Sequence, residues 1–222
     1  MNKKDIYKKK NGNYYNHIRH DLIQMIEGND NKILDIGCGE GQTGWTLKKL
    51  GKAKEVIGIE LVEGTAKRAE PRLDKVIHGD VEEEITLSFQ PEYFDYIILA
   101  DVIEHLIDPW RVIKQLSRFL SREGFLIASI PNIGHWSVLK DLILFDKFEY
   151  QRAGILDKAH LRFFTEKTIL AMFSQSGFTV KSIRSVRSER TRSKLLNLLT
   201  FGRFKKFLTG RYLIKAQKAS NA

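Results

Sequence analysis

Four glycines within eight residues, Gly37, Gly39, Gly41 and Gly44, follow directly on an apolar run, and this junction constrains the chain more than any other stretch. Lys32-Ile-Leu-Asp-Ile36 has the composition of a buried strand. Trp45-Thr-Leu-Lys-Lys-Leu50 reads as a helix stopped by Gly51. Strand, tight glycine loop and helix in that order aim free backbone N–H groups at whatever sits above the carboxyl end of the strand. The missing Cβ atoms let a ligand lie against the loop.

Two nucleotide-binding folds use this layout. Gly39-x-Gly41-x-x-Gly44 satisfies the dinucleotide fingerprint. An acid, Asp35, also stands two residues before Gly37. Asp35-x-Gly37-x-Gly39-x-Gly41 resembles motif I of the class I S-adenosylmethionine-dependent methyltransferases. The resemblance implies S-adenosyl-L-methionine as cofactor, leaving as S-adenosyl-L-homocysteine, with Asp35, Gly37, Cys38, Gly39 and Gly41 around its amino-acid part and ribose. Cys38, the single cysteine, is read as a small residue that fits the loop, since no histidine is near it in sequence. One cysteine also excludes an internal disulfide and suits the cytoplasm.

Along the chain, residues 1–13 are polar and Lys-rich. Tyr15, Ile18, Leu22 and Ile26 recur at helical spacing, which predicts an amphipathic helix over 14–27, ended by Gly28. Further strands are expected at 55–59, 75–78, 96–100, 125–130, 178–186 and 212–216, and helices at 64–70, from Asp108 to Gly124, and from Thr165 to Gly177. Asp108 followed by Pro109 is an N-cap with proline at the first helical position. Residues 132–164 break the rhythm and are read as a partly helical lid over the substrate. Residues 187–209 form a basic insertion between the last two strands, with Leu195–Leu208 helical. The alternation predicts an α/β fold, a mostly parallel seven-stranded sheet with helices on both faces and its last two strands a hairpin. That Rossmann-like order again resembles the class I methyltransferases, over residues 14–218.

Acids and histidines fall at the carboxyl ends of these strands, where open α/β sheets bind ligands. Glu60, after strand two, can accept both hydroxyls of a ribose, a device that dinucleotide-binding proteins share. Leu61 is placed to lie against the adenine face. Gly79-Asp80-Val81 follows strand three. In the methyltransferase family an acid here accepts from the adenine amino group, and the next backbone N–H, of Val81, meets the ring.

Ala100-Asp-Val-Ile-Glu-His-Leu-Ile-Asp-Pro109 resembles the segment of ubiquinone-pathway O-methyltransferases in which Glu-His precedes a short turn. The resemblance puts Ala100 and Asp101 against the methionine end of the cofactor. His105 either takes a proton from a substrate hydroxyl or packs to hold the turn, and the residue types leave both open. His135, after strand five, is a second candidate base. Asp157-x-x-His-Leu-Arg-Phe-Phe164 resembles methyltransferases found with glycan and surface-polysaccharide enzymes, which makes His160 a third. No metal is expected, because the histidines lack the paired spacing of a zinc site.

The 222 residues suit one domain with an added lid. No apolar run is long enough for a membrane span, and no signal peptide opens the chain. Charge is uneven: residues 1–20 carry net +5 and residues 181–222 net +11, against +10 for the whole. The acidic body with basic ends points to an anionic partner surface, membrane before nucleic acid. The expected activity is O-methylation of a small or lipid-linked acceptor, a sugar or quinone precursor. The rivals are an NAD(P)-dependent oxidoreductase and a non-catalytic cofactor-binding protein attached to RNA or membrane.

Overall fold

The computed structural model describes residues 15–83, 89–187 and 205–219. Seven strands form one sheet: β1 (Asn31–Ile36), β2 (Ala53–Glu60), β3 (Lys75–His78), β4 (Phe94–Ala100), β5 (Leu120–Pro131), β6 (Phe178–Arg187) and β7 (Thr209–Lys218). Their order is β3-β2-β1-β4-β5-β7-β6. The first five run parallel, and β7 pairs antiparallel with both β5 and β6. The expected Rossmann-like sheet with a terminal hairpin is therefore present.

Strand side chains alternate between two cores. Ile97 and Leu99 of β4, with Leu34 and Ile36 of β1, face α4 (Pro109–Leu116) and α6 (Glu166–Gln175) through Val112, Ile113, Leu116, Ile169, Met172 and Phe173. Tyr96 and Ile98, with Ile33, face the other layer. That layer holds α1 (His20–Ile23), α2 (Gln42–Lys49) and α3 (Glu63–Ala69), packing Leu22, Ile23, Leu47 and Ala69. Each fully buried aliphatic side chain contributes roughly 1.5–3 kcal/mol, so the two cores are what hold the helical layers on the sheet. The strand order reverses at β1 and β4, which opens a crevice above their carboxyl ends.

Three boundaries differ from the sequence reading. The helix expected over 14–27 shrinks to α1, with residues 17–19 irregular. Its backbone groups go elsewhere: the Glu40 N–H donates to the Tyr15 carbonyl at 3.0 Å, and the Arg19 N–H donates to Thr43 Oγ1 at 3.2 Å. The helix capped by Asp108, whose side chain accepts from the Arg111 N–H at 3.0 Å, ends at Leu116 and not at Gly124. Gly124 lies inside β5, where a Cβ would stand 2.9 Å from the Asp95 carbonyl oxygen; close strand approach, not a helix stop, demands the glycine. Finally, residues 132–164 hold one helix, α5 (Trp136–Phe145), and an irregular stretch with buried Leu156, Asp157, Ala159, His160 and Phe164. Most of the basic insertion and the helix read over 195–208 lie outside the described residues, except for a 3-10 turn at Lys205–Leu208.

Candidate cofactor and acceptor site

A cavity of about 210 Å³ opens above the carboxyl ends of β1 to β4. The glycine loop forms its floor. Gly37 and Gly39 adopt φ of +68° and +57°, and each is also sterically required: a Cβ on Gly37 would stand 2.8 Å from Val102 Cγ2. Asp35, Gly37, Cys38, Gly39, Glu60, Leu61, Asp80, Val81, Ala100 and Asp101 all line the cavity, so the fold brings together ten of the eleven residues read as cofactor-binding. Gly41 does not line it. It is the N-cap of α2, with φ +78°, and packs on Leu73 and Ala69.

The electrostatics of the wall follow from burial. Asp35 is enclosed at the end of β1. Desolvation, with repulsion from Glu60, pushes its carboxyl up to about 7, against the pull of Arg19. Burial raises Glu60 as well, opposed by backbone N–H groups: Gly39 donates to Oε2 at 3.0 Å and Val62 to Oε1 at 2.9 Å. Asp80 Oδ1 accepts from the Glu82 N–H at 3.0 Å, which orients the carboxylate at the turn after β3. Burial pushes the Cys38 thiol up, so it stays protonated and is no nucleophile.

Asp101 sits at φ +55° just beyond β4, a strained conformation for aspartate held by its neighbours. Its carboxylate accepts from Arg19 Nη1 at 2.6 Å, Ser129 Oγ at 2.7 Å and Arg211 Nη1 at 3.2 Å. Arg19 is buried and also grips Asp21 at 2.9 Å. Tyr15, His17, Arg19 and Thr43 line the cavity too, and the sequence reading missed all four. A strap ahead of α1 thus crosses the glycine loop and is latched to Asp101. The signal available was a cation between Ile18 and Leu22, inside an otherwise apolar stripe.

The three candidate histidines part company. His105 is buried on the cavity wall, in the 3-10 turn Ile103–His105. Its Nδ1 lies 2.9 Å from the Ala159 carbonyl, which places the proton on Nδ1 and the lone pair on Nε2. Desolvation lowers its pKa to about 4, so the ring is neutral at pH 7. His160 packs behind it, ring centroids 4.7 Å apart at 69°, and does not line the cavity. His135 caps α5, its Nδ1 accepting from the Ser137 N–H at 3.3 Å, and also stays off the wall.

No residue of 132–164 is among those that line this cavity. The segment backs the wall instead. Leu161 and Arg162 N–H groups donate to the Glu104 carbonyl at 2.8 and 3.0 Å, and the Arg162 guanidinium donates to the Ile107 carbonyl at 2.6 Å. The Glu-His and Asp-x-x-His-Leu-Arg motifs, read separately in sequence, are one constellation.

The family described as "Methyltransferase domain" matches residues 7–183. The chain belongs to this methyltransferase-domain family. Among curated relatives, a mitochondrial ubiquinone biosynthesis O-methyltransferase from Bos taurus is 30% identical over 162 residues, covering 68% of this chain and 42% of the relative. The chain therefore matches less than half the length of that protein. A demethylmenaquinone methyltransferase from Staphylococcus aureus is 27% identical over 174 residues, covering 69% of this chain and 70% of the relative. Among solved structures, an S-adenosylmethionine-dependent methyltransferase from Thermotoga maritima superposes with a TM-score of 0.62 at 20% identity, covering 89% and 86% of the two chains. Family and fold agree with the cavity's position at the switch point of the sheet.

Proposed function

We propose that the chain transfers a methyl group from S-adenosyl-L-methionine to a hydroxyl oxygen of a small or lipid-linked acceptor. The observation that carries this reading is the convergence of Asp35, Glu60 and Asp80, from the ends of three successive strands, on one cavity floored by the glycine loop. These acids suit a cationic nucleoside. Asp80 supplies an acceptor for an amino donor, Glu60 one for ribose hydroxyls, and Asp35 a carboxyl beside the loop that gains from a nearby ammonium or sulfonium. The pyrophosphate of a dinucleotide would instead bring negative charge against two buried acids, which disfavours the oxidoreductase rival.

The cofactor supplies an activated methyl carbon. The chain's part is to align the acceptor, exclude water and deal with the acceptor's proton. Alignment alone is worth about 7–11 kcal/mol in favourable cases. His105 is the candidate histidine on the wall, so we assign the handling of the hydroxyl to its position. Support for a quinone-type acceptor comes from the relatives' names, and for a glycan-type acceptor from the Asp157–Phe164 pattern.

Contact with an anionic membrane extends the same reading. In α5, Leu142, Ile143, Leu144 and Phe145 are all exposed, beyond what a solvated helix needs. Ahead of the other end of α5, Asn132 Nδ2 donates to the Lys206 carbonyl at 2.8 Å, which adds Lys205 and Lys206 as cations on the chain near that helix's N-terminal side. The remaining residues that suggested a membrane surface, Leu195 to Arg203, lie outside the described residues. No helix among the described residues is long and apolar enough to cross a membrane.

Calorimetry with S-adenosyl-L-homocysteine and with NAD, followed by an acceptor screen with labelled methyl donor, tests the proposal. Binding of the first and not the second is expected. NAD binding without S-adenosyl-L-homocysteine binding would overturn it.

A further inference from the structure

We propose that Glu104, His105 and His160 form a binding site for a divalent metal ion, zinc by its donor set, in the wall of the cavity. One donor atom from each of the three lies within 4.8 Å of the other two, and all three residues are buried. His160 Nε2 stands 3.9 Å from Glu104 Oε1. Ligands bonded at about 2.0–2.1 Å around a tetrahedral zinc sit roughly 3.3 Å apart, so shifts of about an ångström close the site.

Glu104 is the observation that asks for a ligand. It is 1% exposed, and neither carboxylate oxygen has a hydrogen-bond partner among the described residues. A carboxyl buried without a partner carries an uncompensated desolvation cost, and such groups call for an explanation.

The histidines are set up as ligands are. His105 Nδ1 lies 2.9 Å from the Ala159 carbonyl and His160 Nδ1 lies 2.8 Å from the Ile155 carbonyl. Both carbonyls belong to the one segment that docks on the Glu104 turn. Each fixes the proton on Nδ1 and directs the lone pair to Nε2, the outer contact that metal-bound histidines typically make. Two imidazoles and one carboxylate match the three-ligand set of zinc sites that keep a coordination position open. His105 borders the cavity, so an ion held here adjoins the space for an acceptor hydroxyl and would lower its pKa.

The site is tested with metal alone, with no S-adenosyl ligand or acceptor present, so the outcome is independent of the methyl-transfer reading. The full chain, stripped with chelator and dialysed, is titrated with Zn²⁺ by calorimetry and with Co²⁺ by visible absorbance. One ion per chain is expected, with a Co²⁺ d–d band of low coordination number. Glu104→Gln, which keeps the shape, and His160→Gln should each weaken Zn²⁺ binding at least 100-fold. Zn²⁺ should raise the thermal midpoint of the parent chain and not of the variants. Absence of a Co²⁺ band in the parent chain would overturn the proposal even if a variant failed to fold. Unchanged Zn²⁺ affinity in folded Glu104→Gln would overturn it equally, by placing the ion elsewhere.

Discussion

The carbonyl oxygen of Tyr15 lies 2.6 Å from the point a Cβ on Gly39 would occupy, and it also accepts the Glu40 N–H at 3.0 Å. Gly39 is thus a packing requirement of the strap as well as a ligand contact. Gly39→Ala must expel the strap and adopt φ near +57°, a conformation that costs about 1–2 kcal/mol for a residue with a Cβ. The expected result is at least a tenfold loss of S-adenosyl-L-homocysteine affinity and a thermal midpoint lower by several degrees. Gly28→Ala is the control: φ is +70°, and nothing lies within 4 Å of its Cβ position. It should pay the strain and keep the affinity. Equal affinity losses in both would show that the strap contact is irrelevant.

Asp35 gives the site a pH dependence whose sign can be worked out. Its folded pKa is raised from 3.8 to about 7 by burial and by Glu60. The native chain therefore holds this proton when the unfolded chain has lost it. The stabilisation is full below about pH 4, fades as pH rises through about 7, and is absent above. A cation bound beside Asp35 favours the ionised form, so binding should release a proton near pH 6. Affinity for S-adenosyl-L-methionine should climb between pH 5 and 8. Calorimetry in buffers of different ionisation enthalpy reads the released proton directly, and Asp35→Asn should abolish the release. A pH-independent affinity in the parent chain would refute the assignment.

What was legible in sequence, and what was not, divides by the range of the interactions. The glycine loop showed itself because positive φ and close approach leave no other residue type. Asp35, Glu60 and Asp80 meet on one cavity because each stands at or just past the carboxyl end of an apolar strand, so strand order alone brings them together. The strap was misread as a helix because apolar spacing at Tyr15, Ile18, Leu22 and Ile26 is a local signal. Beyond the neighbouring Asp21, what ties Arg19 to the sheet is not local: Asp101 and Ser129 lie 82 and 110 residues away. The same holds for Glu104 and His160. Nothing near either one in the chain announces that the 156–164 segment folds back under the Glu-His turn.

The exposed end of α5 makes the membrane proposal measurable. Ile143 is 71% and Phe145 66% exposed, and burying such side chains is worth roughly 1.5–3 kcal/mol each. The parent chain should co-sediment with anionic vesicles, less so as salt rises. The double variant Ile143→Ser/Phe145→Ser should lose at least tenfold in partitioning with an unchanged thermal midpoint, because neither side chain is in a core. Retained partitioning in that variant would remove α5 from the contact.

His105 and His135 should separate in kinetics. His105 lines the cavity and His135 does not, so methyl transfer should be sensitive to the first alone. His105→Ala is ambiguous, because it also deletes the Nδ1 donor to the Ala159 carbonyl that holds the 156–162 segment in place. His105→Asn resolves this. Its amide N–H₂ can still donate to that carbonyl, while the ring nitrogen with the lone pair is gone. We expect His105→Asn to keep its thermal midpoint and its S-adenosyl-L-homocysteine affinity within a few-fold. Its kcat should fall by about 10²–10⁴, the usual worth of a group that handles a proton. His135→Ala should leave kcat within twofold, since among the described residues its side-chain hydrogen bonds go to Ser137 in the cap of α5. An Asn variant with the parent kcat would reduce His105 to a structural residue of the turn. A fall in kcat accompanied by an equal fall in cofactor affinity would place its contribution in binding, not in the transfer step.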